Sequence, residues 1–174
     1  SDAPDLVFNS YSRKDQKWLD LLLAHLAPLE REGTIRLWVD KGKIEFGDRY
    51  NDEIATAIDT CGAAILLISP HFQNSSFIQE KALPRLLRRA DAKEIKLYWL
   101  QVSDCHLAKK LAKTYHSTND SQQALDAMSE AQVNKVLANL TQDLEKHALQ
   151  VKATRHAAVH AEKERKAREA AEEK

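Results

Sequence analysis

Two rhythms of apolar residues alternate along the first hundred positions. Leu6-Val7-Phe8 is a short apolar run ending at Asn9-Ser10, the pattern of a buried strand followed by a turn. From Asp15 to Leu29 the residues Trp18, Leu19, Leu22, Leu23 and Leu26 recur at helical spacing, and Pro28 and Gly33 mark the end of that helix. Ile35 to Val39 predicts a second strand, Asp40 to Gly47 a polar loop with two glycines. Asp48 to Thr60 predicts a second helix with Tyr50, Ile54, Ala57 and Ile58 on one face. Cys61 to Ser69 is a continuous apolar run between Asp59 and Pro70, which suits a central parallel strand buried on both faces. Leu83, Leu86 and Leu87 mark a third helix, and Ile95 to Val102 a fourth strand.

Strand–helix repeats of this length predict an α/β fold: a parallel sheet with helices on both faces and right-handed crossovers. Ligands in such folds bind outside the carboxyl ends of the strands. In this chain those ends are the stretches after Phe8, Val39, Ile68 and Val102.

The character changes after Asp104. Tyr115 to Asp120 is a polar connector. Ser129 with Gln132 has the spacing of a capping box. Val133, Leu137, Leu140 and Leu144 then follow at intervals of four, three and four, a heptad seam that fades through His147, Val151, Thr154, Ala158 and Ala161. Glu162 to Lys174 holds Ala, Glu, Lys and Arg, with high helix propensity and little apolar surface to bury. The expected organisation is a domain over 1–128 and a helical extension over 129–174. That extension is either a solvated linker toward a partner domain or a coiled-coil handle. His156 and His160, one helical turn apart, offer two metal ligands without a third, so no metal is expected.

Composition narrows the classes. The chain has 174 residues, 43% of them hydrophobic, enough for a real core. The 30% charged fraction and a mean hydropathy of −0.53 agree with an exposed extension. Lys plus Arg and Asp plus Glu number 26 each, whereas a nucleic-acid binder carries a basic excess, so no direct nucleic-acid partner is expected. The longest apolar run, Ala63 to Ile68, is too short for a bilayer, and no signal segment opens the sequence, so a soluble cytoplasmic protein is expected. Two cysteines, Cys61 and Cys105, make neither a disulfide framework nor a zinc cage and read as structural.

Four motifs in order resemble a known family. Asp5-Leu6-Val7-Phe8-Asn9-Ser10-Tyr11-Ser12 is similar to the first strand and turn of Toll/interleukin-1 receptor (TIR) domains. Leu37-Trp38-Val39-Asp40 followed by Ile44-Glu45-Phe46-Gly47-Asp48 resembles the second strand and the "BB loop". Ile65 to Phe72, Ser75-Ser76-Phe77-Ile78 and Leu83-Pro84 resemble the next strand and helix of bacterial members. The resemblance implies a flavodoxin-like sheet of about five parallel strands. It also implies one of two jobs: cleavage of NAD+ at the nicotinamide–ribose bond, with NAD+ as substrate and no prosthetic group, or protein association alone. Bacterial members of the first kind often act in anti-phage defence and are switched on when a sensor domain makes them assemble.

Nicotinamide in NAD+ is already a cationic leaving group, so the reaction needs stabilisation of positive charge on the ribose more than a general acid. By resemblance, a glutamate at the start of the third helix supplies it. In this chain the position directly before Leu83-Pro84 is Ala82, and a count from the aromatic residue reaches Lys81. Three readings stand open: Ala82 replaces the carboxylate, Glu80 serves instead, or the domain lacks the activity. Positions 80 and 82 of an α-helix point roughly 200° apart, so Glu80 needs a local distortion, and Pro84, which has no N–H for the carbonyl of Glu80, provides a cause for one. Around this position, Tyr11, Ser12 and Arg13 follow the first strand, and Arg13 suits a pyrophosphate. Trp38, a base-stacking or core residue, and Asp40 end the second strand. Lys43, Ile44, Phe46 and Gly47 form the BB loop, either a substrate lid or a contact to a neighbouring subunit in a homo-oligomer or filament, with Arg49 beside it.

Overall fold

The computed structural model describes residues 3–39, 48–76, 78–119 and 123–173, with the backbone alone for 48–51. Four parallel strands make one sheet in the order β2-β1-β3-β4: β1 Ala3–Ser10, β2 Arg36–Val39, β3 Cys61–Ile68 and β4 Lys96–Gln101. All eight residues of β3 are buried, as its unbroken apolar run requires of a strand covered on both faces. Consecutive side chains of β3 supply opposite faces. Ala63, Ile65 and Leu67 join one core cluster, Ala64, Leu66 and Ile68 the other.

The first face carries helices α1 (Gln16–Arg31) and the near half of α6 (Glu130–Glu172). Leu19, Leu22, Leu26 and Leu29 of α1 meet Val133, Leu137, Leu140, Leu144 and Ala148 of α6 over the sheet. The seam read from the heptad spacing is therefore a domain-core contact, not a coiled coil. Ser129 opens α6 with a capping box to Gln132, as its spacing predicts. Three polar ties fasten the same half: His25 to Asn134 (3.0 Å), the Tyr98 hydroxyl to Asp143 (2.7 Å) and His147 to the carbonyl of Gly62 (3.3 Å). From residue 152 onward every described residue of α6 is exposed.

The second face is covered by α2 (Asp48–Thr60), α3 (Pro70–Gln73), a π-helical turn Ile78–Ala82, α4 (Leu83–Asp91) and α5 (His106–Ala112). Helix α5 falls where the sequence pattern predicts no element, although Leu107, Ala108 and Leu111 are buried at helical spacing. Glycine is required at position 62, where a Cβ would sit 2.0 Å from the Pro4 carbonyl oxygen, and at Gly33, whose φ of 76° ends α1.

The fifth strand implied by resemblance is absent among the described residues. The connector after α5 stands at the outer edge of β4 instead. The Thr118 N–H donates to the Trp99 carbonyl (2.9 Å), and the buried Asn119 side chain accepts from the Gln101 N–H (2.8 Å) and returns a bond to its carbonyl (3.3 Å). An amide side chain thus completes a ladder that a strand would otherwise complete.

Candidate functional site

The carboxyl ends of β1 and β3 are tied together by one buried polar pair. Asp15 and Ser69 are 6% and 1% exposed, and the Ser69 hydroxyl donates to Asp15 Oδ2 at 2.5 Å. The same hydroxyl accepts from the Phe72 N–H (3.0 Å) and so caps α3. Asp15 lies at the amino end of α1, where the helix dipole favours an anion. The Ser12-to-Asp15 spacing reads locally as a capping box, yet the carboxylate turns inward to a partner 54 positions away. No pattern within the helix itself could have pointed there.

Around this tie the predicted residues take their places. Ser12 caps the 3-10 turn Arg13–Asp15 by accepting from the Lys14 N–H (3.3 Å). The Tyr11 hydroxyl donates to Gln16 (3.2 Å), and Arg13 is exposed in the turn beside it. Trp38 is half-buried and stacks on Phe8 with centroids 4.8 Å apart and planes at 14°. One ring face of Trp38 is thereby already taken by the core. Asn9, which sequence reasoning passed over, is 2% exposed and donates from Nδ2 to the carbonyls of Val7 and Trp38. Its Oδ1 is buried with no partner among the described residues. Asp40, Lys43, Ile44, Phe46 and Gly47 lie outside the described residues, as does the Arg49 side chain.

The helix start expected to bear the carboxylate is irregular. A π-helical turn over Ile78–Ala82 precedes α4, and Pro84 stands in the first turn of α4. This is the distortion that the missing Pro84 N–H suggests. It does not exchange the two positions: Ala82 is 1% exposed within the cluster of Phe8, Ile68, Phe72 and Leu86, whereas Glu80 is exposed. Arg85, one turn further on, pairs with Asp59 (2.7 Å). The π turn packs against α3, which begins where β3 ends, so Ala82 is interior yet stays at the carboxyl-end side of the sheet.

Cys61 is fully buried. Burial pushes its thiol up to about 11, with Arg89 beside it acting in the other direction. Cys105 is half-buried. Among the described residues no three His, Cys, Asp or Glu gather as metal ligands, and no helix is long and apolar enough to cross a membrane.

A model of the TIR domain family matches residues 7–137. A curated relative, the uncharacterised protein y4lF of Sinorhizobium fredii (strain NBRC 101917 / NGR234), is 32% identical over 83 residues. That match covers 48% of this chain and 25% of the relative, so the chain spans about a quarter of that protein's length. Among solved structures, the TIR domain of the Toll-related receptor TRR-2 from Hydra magnipapillata overlays with a TM-score of 0.50 at 19% identity, covering 79% of this chain and 96% of that one. The TIR domains of the activated Roq1 resistosome, which directly recognises the pathogen effector XopQ, give 0.45 at 16% identity over 86% and 98%. The receptor overlay speaks to fold alone. With the family match spanning most of the sequence and the sheet built as that fold requires, the chain belongs to the TIR domain family.

Proposed function

We propose that this chain is the TIR domain of a bacterial NAD+ glycohydrolase of a defence or signalling system, silent as it stands because position 82 is alanine. The observation that carries the reading is the π turn Ile78–Ala82. Such turns interrupt a helix at a cost in regularity and are frequent at functional sites. This one sets a small buried side chain at the carboxyl-end side of the sheet, where the turn Tyr11–Arg13 and the Phe8–Trp38 stack also lie. A glutamate at 82 would stabilise the cation that forms on the ribose as nicotinamide leaves, and Arg13 would face the pyrophosphate. Self-assembly through TIR–TIR contacts, including the BB loop around Phe46, would switch the site on. A sensor beyond the C-terminal helix would drive that assembly.

A second reading, a TIR–TIR association module without chemistry, is favoured by the exposed position of Glu80, which leaves the present chain without a carboxylate in that place.

The test is Ala82→Glu, held at high concentration with a crowding agent, with nicotinamide release followed by chromatography. The reading expects release from the substituted protein alone, and weaker release when Phe46→Glu is added. An Ala82→Glu protein that is folded and self-associated yet releases nothing refutes the enzyme and leaves the association module.

A further inference from the structure

Along a strand of a parallel sheet, the N–H and C=O of one residue point to one side and those of the next residue to the other. Val102 donates its N–H to the Ile68 carbonyl (2.9 Å). Lys96, Tyr98 and Leu100 therefore turn their backbone groups to β3, and Leu97, Trp99 and Gln101 turn theirs to the outer flank of β4. On that flank the Asn119 side chain takes both groups of Gln101: its Oδ1 accepts from the N–H (2.8 Å) and its Nδ2 donates to the carbonyl (3.3 Å). Thr118 takes the Trp99 carbonyl. The same donor and acceptor of Leu97, further toward the amino end, have no hydrogen-bond partner among the described residues.

Beside Leu97 lies a recess of about 360 Å³, between the connector Tyr115–Thr118 and α6. That volume suits a small molecule. Leu140, Tyr98 and Tyr115 give the recess apolar and aromatic surface. Both tyrosines are held by their hydroxyls, Tyr98 on Asp143 (2.7 Å) and Tyr115 on Asp91 (2.8 Å), so these walls are fixed before a ligand arrives. Asn139 lines the α6 side from an exposed position.

Asn119 shows which group fits an outward backbone pair of β4: a planar primary carboxamide, with a donor beside an acceptor. A carboxylate offers acceptors alone and sets one against the Leu97 carbonyl. The aromatic and apolar walls suit a flat ring for the rest of the ligand.

We infer that this recess binds a small flat ring bearing a primary carboxamide, which pairs with the N–H and C=O of Leu97 as Asn119 pairs with those of Gln101. The site is independent of residue 82 and of the reading proposed above.

The test is amide-resolved NMR of the full chain, titrated with nicotinamide or benzamide and, as controls, with nicotinate or benzoate. In the free protein the Leu97 amide should exchange with solvent at least tenfold faster than the Gln101 amide. Either carboxamide should shift the Leu97 amide saturably and slow its exchange at least tenfold at saturation, and either carboxylate should bind at least tenfold more weakly. Asn139→Trp fills the recess from an exposed helix position and should abolish the response. Leu97→Pro removes the donor on an edge strand, where an outward N–H can be spared, and should abolish the response of the His116 and Thr118 amides. Should that variant not fold, Asn139→Trp still decides. A Leu97 amide that is protected in the free protein, that ignores both carboxamides, or that responds equally to the carboxylates overturns the assignment. Shifts confined to Tyr11–Arg13 report binding at the strand ends and overturn it as well.

Discussion

Replacing Ser69 with alanine should cost far more than removal of one small hydroxyl suggests. The Ser69 Oγ makes two buried hydrogen bonds at once, donating to Asp15 and accepting from the Phe72 N–H. Loss of the cap on α3 costs about 1 kcal/mol. Stranding a buried Asp15 carboxylate without its donor adds about 1–3 kcal/mol. The sum, about 2–4 kcal/mol, corresponds for a chain of this size to a fall in Tm of roughly 4–16 °C. Asp15→Asn keeps an acceptor facing Ser69 and should cost less, about 1 kcal/mol. The assay is thermal and urea unfolding of the two single variants, of Asp15→Ala and of the Ser69→Ala/Asp15→Ala double. Because removing both partners leaves neither stranded, the double should fall short of the summed singles by about 1–3 kcal/mol. A Ser69→Ala change within about 0.5 kcal/mol of the parent, or strictly additive losses, would refute the reasoning.

Two further expectations follow from buried ionisable groups. Burial, then the hydrogen bond to Asp143 and its negative charge, hold the Tyr98 hydroxyl well above the usual tyrosine range. A raised value means stability that is complete below the unfolded tyrosine value of about 10 and lost as pH rises above it. Tyr98→Phe should therefore flatten the alkaline limb of a stability–pH curve; an equally steep limb in the variant would count against the buried pair. Burial raises the Cys61 thiol to about 11, so iodoacetamide at pH 8 should label the half-buried Cys105 first and leave Cys61 until the protein unfolds. Equal labelling of the two, read by peptide mass, would show that Cys61 is reachable.

The parts of the molecule legible from sequence were those whose signal is local. The unbroken run of β3, the leucines of α1 and the Ser129 capping box each state their structure within a dozen residues, and each is found, although α1 runs through Pro28 to Arg31 rather than ending at the proline. The Pro84 distortion was legible for the same reason, since a missing N–H acts on a carbonyl one turn away. What escaped was set by distant partners. Asp15 satisfies a cap pattern yet bonds Ser69. The α6 leucines satisfy a heptad yet pack on the sheet. Asn9 stands in the first-strand motif, but its bond to the Trp38 carbonyl depends on where β2 passes.

The side-chain ladder at the rim of β4 has a consequence for how this domain can grow into larger arrays. With Thr118 on the Trp99 carbonyl and Asn119 on both backbone groups of Gln101, the carboxyl-end half of that flank is closed to a foreign strand, which hinders strand-to-strand stacking there. Propagation from copy to copy is left to helical surfaces and to the opposite flank at β2, which favours assemblies of defined geometry over amorphous fibres.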